Sequence, residues 1–224
     1  QSYLPPAALP SVTNPSSGYV HSANQSPFHI SSEGSNPIVA DYPKESGWPA
    51  RMTNRAVRGL ELLDANTAIT FDAFSDIKHD NAYSPRYRGY HYLSAVTALE
   101  PDGPEQTEAL DLLRSWDLHT DKDNRQAALG VCVLLEEWLI ERSKEPLPPA
   151  RDTLVKCMAS VTGISGRLDP EWGEIQRHGR DGQTWAVSGG PDTLRAMYAE
   201  QLSDDDNYLT VVAGDGLYYL IEWT

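Results

Sequence analysis

Residues 127–135 read AALGVCVLL and form the first half of the strongest helical pattern in the chain. Apolar side chains fall on every side of a helix drawn through this stretch, which is typical of a central, buried helix. The pattern extends over residues 125–143, with Asp123 or Asn124 as its N-cap and Pro146 just beyond its end. The pattern therefore predicts that this helix lies at the centre of a packed core and that the other elements surround it.

Shorter helical patterns lie on both sides of this core helix. They cover residues 55–63, 70–77, 87–99, 104–116 and 151–161. In the second of them, Thr70 is the expected N-cap, and Phe71, Phe74 and Ile77 are expected to face inward. Residues 51–162 are therefore predicted to form a helical region.

The pattern changes after Gly163 to short runs that predict strands, and residues 163–224 are read as a β-rich region with one short helix. The pair Asp181-Gly182 is typical of the tight turn of a hairpin. Along the chain, a loop segment is followed by helices and then by strands. This order of elements predicts the α+β class. The expected strands cover residues 173–177, 184–187, 208–213 and 217–223, and the short helix covers residues 194–201.

Residues 1–50 are poor in charge and rich in Pro, Ser, Gly and Asn. This composition predicts an extended segment of loops that carries Asn24 and contains short strands around residues 19–21 and 28–30. A compact domain seldom contains so long a segment without regular structure. We therefore expect residues 1–50 to lie over a surface, much of it outside this chain.

The bulk composition excludes several classes of partner. The chain has 224 residues, a net charge of −14 and a pI of about 4.7. Nucleic acid and anionic membranes are not expected partners, because binding them needs clustered Lys and Arg. Cys132 and Cys157 have no metal-ligand spacing around them, and two buried thiols are favoured over a single disulfide, which stays open.

Asn24 is the first candidate for chemistry. A short strand is expected to deliver its side chain into a tight loop closed by Pro27. A fixed amide N–H stabilises the oxyanion that develops during acyl transfer. The structural alternative, which the residues alone favour, is an Asx-type turn in which the side chain bonds its own main chain.

Arg55 is the second candidate. It lies near the start of a predicted helix, where a cation opposes the helix dipole. Such an unfavourable position can mark a functional residue, although an ordinary surface arginine is favoured from composition alone.

The remaining titratable residues give weaker patterns. The six histidines are scattered without metal-binding spacing, and structural roles are favoured for them. Four residues with oxygen-bearing side chains lie close together in the sequence: Asp117, Asp121, Asp123 and Asn124. The segment that contains them lacks the glycine and the distal glutamate of a calcium-binding loop, so helix capping is favoured. Gly189-Gly190 is not followed by Lys-Ser/Thr and reads as a turn between a strand and a helix.

Four segments together carry a pattern that spans nearly the whole chain in order. The segments are Gly18-Tyr19-Val20-His21-Ser22-Ala23-Asn24-Gln25-Ser26-Pro27, Arg51-Met52-Thr53-Asn54-Arg55 with Leu62-Leu63, Leu113-Arg114-Ser115-Trp116-Asp117 with Asp123-Asn124 and Ala127-Ala128, and Trp172-Gly173-Glu174 with Gly189-Gly190-Pro191-Asp192-Thr193-Leu194-Arg195-Ala196. Together they resemble the penicillin acylase (penicillin amidase) family of N-terminal-nucleophile hydrolases, and within it the acyl-homoserine-lactone-acylase-like members most of all.

The resemblance implies a fold, an activity and two site residues. The fold is a four-layer αββα sandwich, of which this chain would hold the helices and some flanking strands. The activity is hydrolysis of an acyl side-chain amide through an acyl-serine intermediate, with the serine's own α-amino group as the base. Asn24 would donate to the oxyanion, and Arg55 would lie beside it, orient it and influence the charge near the nucleophile.

The sequence departs from the family pattern in several places. Ser22 and Gln25 stand where the pattern usually has Asn, and Leu118 stands where it usually has Gly. Gln1 has no hydroxyl and cannot be the nucleophile, and the family's later H-Y-x-D-Q stretch is not found. We therefore expect an internal part of a β-subunit that is inactive by itself.

The resemblance also sets expectations for partners. These are the remaining segments of the same precursor, namely the α-subunit and the nucleophile-bearing part of the β-subunit, and a small-molecule acyl amide. Aliphatic acyl groups are favoured over aromatic ones. No cofactor is expected; calcium stays open for the parent enzyme without support from this chain. The location would be periplasmic or extracellular. The alternative is a non-catalytic, soluble α+β domain that binds a protein partner.

Overall fold

The computed structural model describes residues 5–43, 47–48, 52–143, 145–203 and 206–223. Within these ranges the chain forms seven α-helices and then a small sheet. The helices are α1 (Asn54–Asp64), α2 (Phe71–His79), α3 (Arg88–Thr97), α4 (Pro104–Ser115), α5 (Ala127–Ser143), α6 (Ala150–Ser165) and α7 (Trp172–Ile175). The strands are β1 (Gln176–Arg180), β2 (Gln183–Ala186), β3 (Met197–Glu200) and β4 (Leu209–Gly214).

Helix α5 is the centre of the apolar core, as its sequence predicts. Ala127, Leu129 and Val133 are completely buried, and the helix packs against α3, α4 and α6. Burial on every side follows from the all-round apolar pattern of its first half. Cys132 of α5 and Cys157 of α6 form a disulfide, so the favoured interpretation of two thiols was wrong and the alternative left open is correct.

Two of the predicted helix caps are confirmed. Oδ1 of Asn124 accepts hydrogen bonds from the main-chain N–H groups at the start of α5, at 2.9–3.0 Å. Oγ1 of Thr70 accepts from the N–H of Ala73 at 3.2 Å. The inward orientation predicted for Phe71 and Phe74 was wrong, because their side chains are 43% and 42% exposed and α2 buries none of its residues. Helix α2 therefore lies at the surface of this structure.

The four strands form one mixed sheet in the order β2-β1-β4-β3. Strands β1 and β2 are antiparallel and joined by Asp181-Gly182, both with positive φ, so the predicted hairpin is confirmed. Strand β1 is parallel to β4, and β4 is antiparallel to β3. Helices followed by this small sheet confirm the α+β class. Whether the sheet forms one layer of a four-layer sandwich stays a prediction.

Three local predictions in the β-rich region were wrong. Residues 173–177 begin as helix α7 and become a strand only at Gln176. The predicted helix over residues 194–201 contains strand β3 instead, because pairing with β4 overrides a locally helical composition. Residues 217–223 form no strand in the described part of the chain. Leu217 and Trp223 are 76% and 88% exposed there.

The described part of the N-terminal segment, residues 5–43, contains two single 3₁₀ turns, Pro6–Ala8 and Val39–Asp41. The expected strands around residues 19–21 and 28–30 do not form in this range, although the N–H of His21 donates to the carbonyl of Ile30 at 2.7 Å. The segment lies against α1, since a Cβ on Gly59 would come within 2.5 Å of the His21 ring. The division of the chain at residues 50/51 and 162/163 stays a prediction.

Candidate active site

Asn24 lies in a loop whose neighbouring residues are buried. Ala23, Gln25 and Ser26 are 7%, 8% and 1% exposed, whereas Asn24 itself is exposed. The φ angle of Asn24 is 63°, in the left-handed region that asparagine tolerates better than most residues. The loop therefore presents one polar side chain from a packed main chain.

Arg55 binds the oxygen of the Asn24 carboxamide. Its Nη2 donates a hydrogen bond of 3.2 Å to Oδ1 of Asn24. Within the described residues, the Asn24 side chain makes no hydrogen bond to its own main chain, so the Asx-turn alternative does not hold there. Nδ2 of Asn24 likewise finds no acceptor among those residues. Its two N–H groups are available to a group that approaches from outside.

The guanidinium of Arg55 is in turn held by a buried carboxylate. Its Nε donates to Oδ1 of Asp192 at 3.2 Å, and the side chain of Asp192 is 3% exposed against 25% for that of Arg55. Arg55 is therefore not the ordinary surface arginine that composition alone favoured. These contacts form a continuous series, which runs from the amide of Asn24 through the cation of Arg55 to the anion of Asp192.

Asp192 also explains how a cation is accommodated at the start of α1. Arg55 is the second residue of this helix, where a positive charge opposes the helix dipole. Oδ2 of Asp192 accepts from the main-chain N–H of Asn54 at 2.6 Å. One carboxylate thus neutralises the guanidinium and satisfies a main-chain donor at the N-terminus of α1.

Buried polar side chains fix the main chain around Asp192. Nδ2 of Asn54 donates to the carbonyl oxygen of Asp192 at 2.9 Å, and the hydroxyl of Tyr83 donates to the carbonyl of Pro191 at 2.6 Å. Burial, and then the charge of Asp192, raise the pKa of Tyr83 well above its ordinary value. Tyr83 consequently stays a neutral donor, and Asp192 cannot move without breaking several buried contacts.

His21 lies near Arg55, and its ring packs against Gly59 of α1. Burial lowers the pKa of His21, and the positive charge of Arg55 lowers it further. The imidazole is therefore neutral at pH 7. A neutral ring at this position adds no second positive charge beside the guanidinium.

Sequence reasoning proposed two of the three members of this series, and the structure brings these two into contact. It did not single out Asp192, which lies 137 positions from Arg55. The available signal was the Gly189-Gly190-Pro191-Asp192-Thr193 run, which belongs to the segments of the family resemblance and of which Gly189-Gly190 was read as a turn. Asn54 was also missed as a site residue, although it adjoins Arg55 and is completely buried.

The other candidate groups do not assemble into a site. In the part of the chain that the structure describes, no group of three or more His, Cys, Asp or Glu side chains could hold a metal ion. Asp117 binds the main-chain N–H of His119 and Nδ2 of Asn124, at 3.0 and 2.9 Å. Over the same residues, no helix has the length and apolar character needed to cross a bilayer.

The fold and this site define an α+β protein in which a loop presents an exposed asparagine amide beside an arginine–aspartate ion pair. The family model for penicillin amidase matches residues 1–222 of the chain. The chain therefore belongs to the penicillin amidase family, as its sequence motifs indicated. Membership of this family indicates an amidohydrolase function.

Proposed function

We propose that this chain is an internal part of the β-subunit of a penicillin-amidase-like acylase. The parent enzyme would cleave the acyl side-chain amide of a penicillin-like or acyl-homoserine-lactone-like substrate. A serine from another segment of the same precursor would be the nucleophile, and Asn24 would supply the side-chain half of the oxyanion hole.

One observation supports this proposal above the others. Arg55 binds the oxygen of the Asn24 carboxamide, and the exposed Nδ2 has no acceptor among the described residues. An oxyanion donor must be fixed before the reaction and must not be occupied by the protein itself. The Asn24 amide meets both conditions.

The proposed reaction has two steps. The serine hydroxyl attacks the amide carbonyl and transfers its proton to the serine's α-amino group, which has a pKa of about 7.7–8.0 in an unperturbed chain. The proton passes to the leaving amine as the C–N bond breaks. Water then hydrolyses the acyl-serine ester. Asn24 would donate to the carbonyl oxygen in both tetrahedral intermediates.

Arg55 and Asp192 would act through Asn24 in this reaction. The guanidinium keeps the carboxamide oxygen turned away from the reacting carbonyl, and the carboxylate fixes the guanidinium. Arg55 also places a positive charge near the α-amino base. A nearby cation disfavours protonation of an amine, so it would help to keep this base neutral.

The Cys132–Cys157 disulfide supports the proposed location. Disulfides persist mainly in oxidising compartments and are rare in most cytosolic proteins. A periplasmic or extracellular enzyme fits this bond. The α-subunit and the nucleophile-bearing segment would join the chain in the same compartment.

The test compares Asn24→Ala with the unaltered protein in the complete precursor, using a penicillin and an N-acyl homoserine lactone as substrates. We expect kcat to fall about 10²–10³-fold with little change in KM, as for other oxyanion-hole donors. Asn207→Ala, at an exposed position before β4, is the matched control. The isolated 224-residue chain should have no activity. An unchanged kcat for Asn24→Ala, or Asn24-dependent hydrolysis by the isolated chain, would overturn the proposal.

A further inference from the structure

Gln25 follows Asn24 and is buried; its carboxamide bonds three main-chain groups, and its Nε2 also lies 3.5 Å from Nδ1 of His21. Its Oε1 accepts from the N–H of Ala23. Its Nε2 donates to the carbonyl oxygens of His21 at 2.9 Å and His29 at 3.0 Å. One side chain thus satisfies three main-chain groups of the loop.

These three groups lie on both arms of the loop. Ala23 and His21 precede Asn24, and His29 follows it. Among the described residues of this loop, one main-chain hydrogen bond joins the two arms, from the N–H of His21 to the carbonyl of Ile30 at 2.7 Å. The Gln25 side chain therefore holds the two arms of the loop together. In a regular pair of strands, a ladder of main-chain hydrogen bonds would do this.

The conformation of Asn24 needs such a constraint. Asparagine tolerates a φ of 63° better than most residues, but the left-handed region is still sparsely populated, and contacts of the surrounding loop are needed to hold the main chain there. The Asn24 side chain itself is exposed and contacts Arg55 through a single hydrogen bond of 3.2 Å. That bond alone does not fix the backbone on which the amide stands.

We propose that Gln25 is a positioning residue for Asn24 and acts through the main chain of the loop. The inference rests on the proposed function, in which Asn24 is the oxyanion donor. Gln25 does not contact the substrate. Its carboxamide holds residues 21, 23 and 29 so that Nδ2 of Asn24 points at the reacting carbonyl oxygen.

The decisive substitution is Gln25→Glu. It keeps the size of the side chain and the acceptor for Ala23, but it places a carboxylate oxygen opposite the carbonyls of His21 and His29. Two donor bonds become two repulsive contacts, and a charge is buried against two carbonyl oxygens, with Nδ1 of His21, 3.5 Å from the present Nε2, as its one side-chain neighbour at this end. Gln183→Glu makes the same chemical change at an exposed position of β2 and is the matched control.

A double-mutant cycle in the complete precursor separates positioning from a general loss of structure. Alone, Gln25→Glu should lower kcat at least ~10-fold and leave KM within ~2-fold, because only transition-state binding is lost. Combined with Asn24→Ala, it should lower kcat by less than ~2-fold further, because the donor that it positions is already absent. Gln183→Glu should change neither constant.

Each of the other outcomes contradicts either the role of Gln25 or the proposed function. Equal losses of kcat with and without Asn24 would show that Gln25 does not act through Asn24. An unchanged kcat for Gln25→Glu would show the same. If Asn24→Ala alone has no effect, the proposed function fails and this inference fails with it. Should Gln25→Glu not fold, Gln25→Asn, which shortens the side chain by one methylene, goes through the same cycle with the same criteria.

Discussion

The N-terminal segment and the helical core are held together by different forces. The described residues 5–43 contain no α-helix and no strand, and polar side chains such as Gln25 and Asn36 bond their main chain. Helices α3 to α6 instead bury apolar side chains around α5. The candidate site residue Asn24 lies in the first region, and most of the buried apolar area lies in the second.

This difference follows from what each force can specify. Apolar burial is roughly proportional to area and has no preferred direction, so it stabilises a fold without fixing one atom accurately. Hydrogen bonds depend steeply on distance and angle. A donor that must meet an oxyanion therefore benefits from a loop fixed by directional bonds, resting on a core that supplies the stability.

Truncating a core side chain should have the largest effect on stability. Leu129→Ala removes a completely buried side chain of α5, and such changes cost about 2.7–5.0 kcal/mol. Urea unfolding of the 224-residue chain measures the loss. Leu139→Ala on the same helix is the matched control, because Leu139 is 46% exposed and should lose much less. Similar losses for the two variants would contradict a core centred on the first half of α5.

Reducing the disulfide should have the next largest effect. The bond joins residues 25 positions apart, and loop entropy predicts about 3.5 kcal/mol of stabilisation for a loop of this length. Unfolding midpoints with and without a reductant measure the difference. In the Cys132→Ala/Cys157→Ala double variant the midpoint should not respond to reductant. If the unaltered chain does not respond either, the bond contributes nothing to the core.

Acidification should have the smallest effect and should act on the N-terminal segment. The pKa of His21 is lower in the folded chain, chiefly because of burial, than in the unfolded chain, where it is about 6.5. The unfolded state therefore takes up a proton first, and the free energy of unfolding falls as the pH drops below that value. Above it His21 is neutral in both states and contributes no pH dependence.

His21→Gln should therefore flatten the dependence of stability on pH below about 6.5. Amide exchange at residue 21, whose N–H donates to the carbonyl of Ile30, would report the same change locally. His178→Gln, at an exposed position of β1, is the matched control. Equal slopes for the unaltered chain and the His21 variant would show that burial of this ring is not coupled to folding.

Prediction from sequence succeeded where the deciding interactions are local. The cap of α5 at Asn124, the cap of α2 at Thr70 and the hairpin turn at Asp181-Gly182 each depend on a few adjacent residues. Prediction failed over residues 194–201, where pairing with β4 decides the conformation. It also failed for Phe71 and Phe74, because periodicity shows which residues share a face but not whether anything covers that face.

Apolar periodicity, capping residues and motifs are properties of the order of the residues, and they were enough to predict helices α1 to α6, the α+β class, the family, and Asn24 and Arg55 as candidate residues. Only the tertiary structure showed that Arg55 contacts both Asn24 and the distant Asp192, and that Cys132 and Cys157 are paired. Contacts between residues far apart in the chain depend on how the elements pack, and no local pattern carries that information.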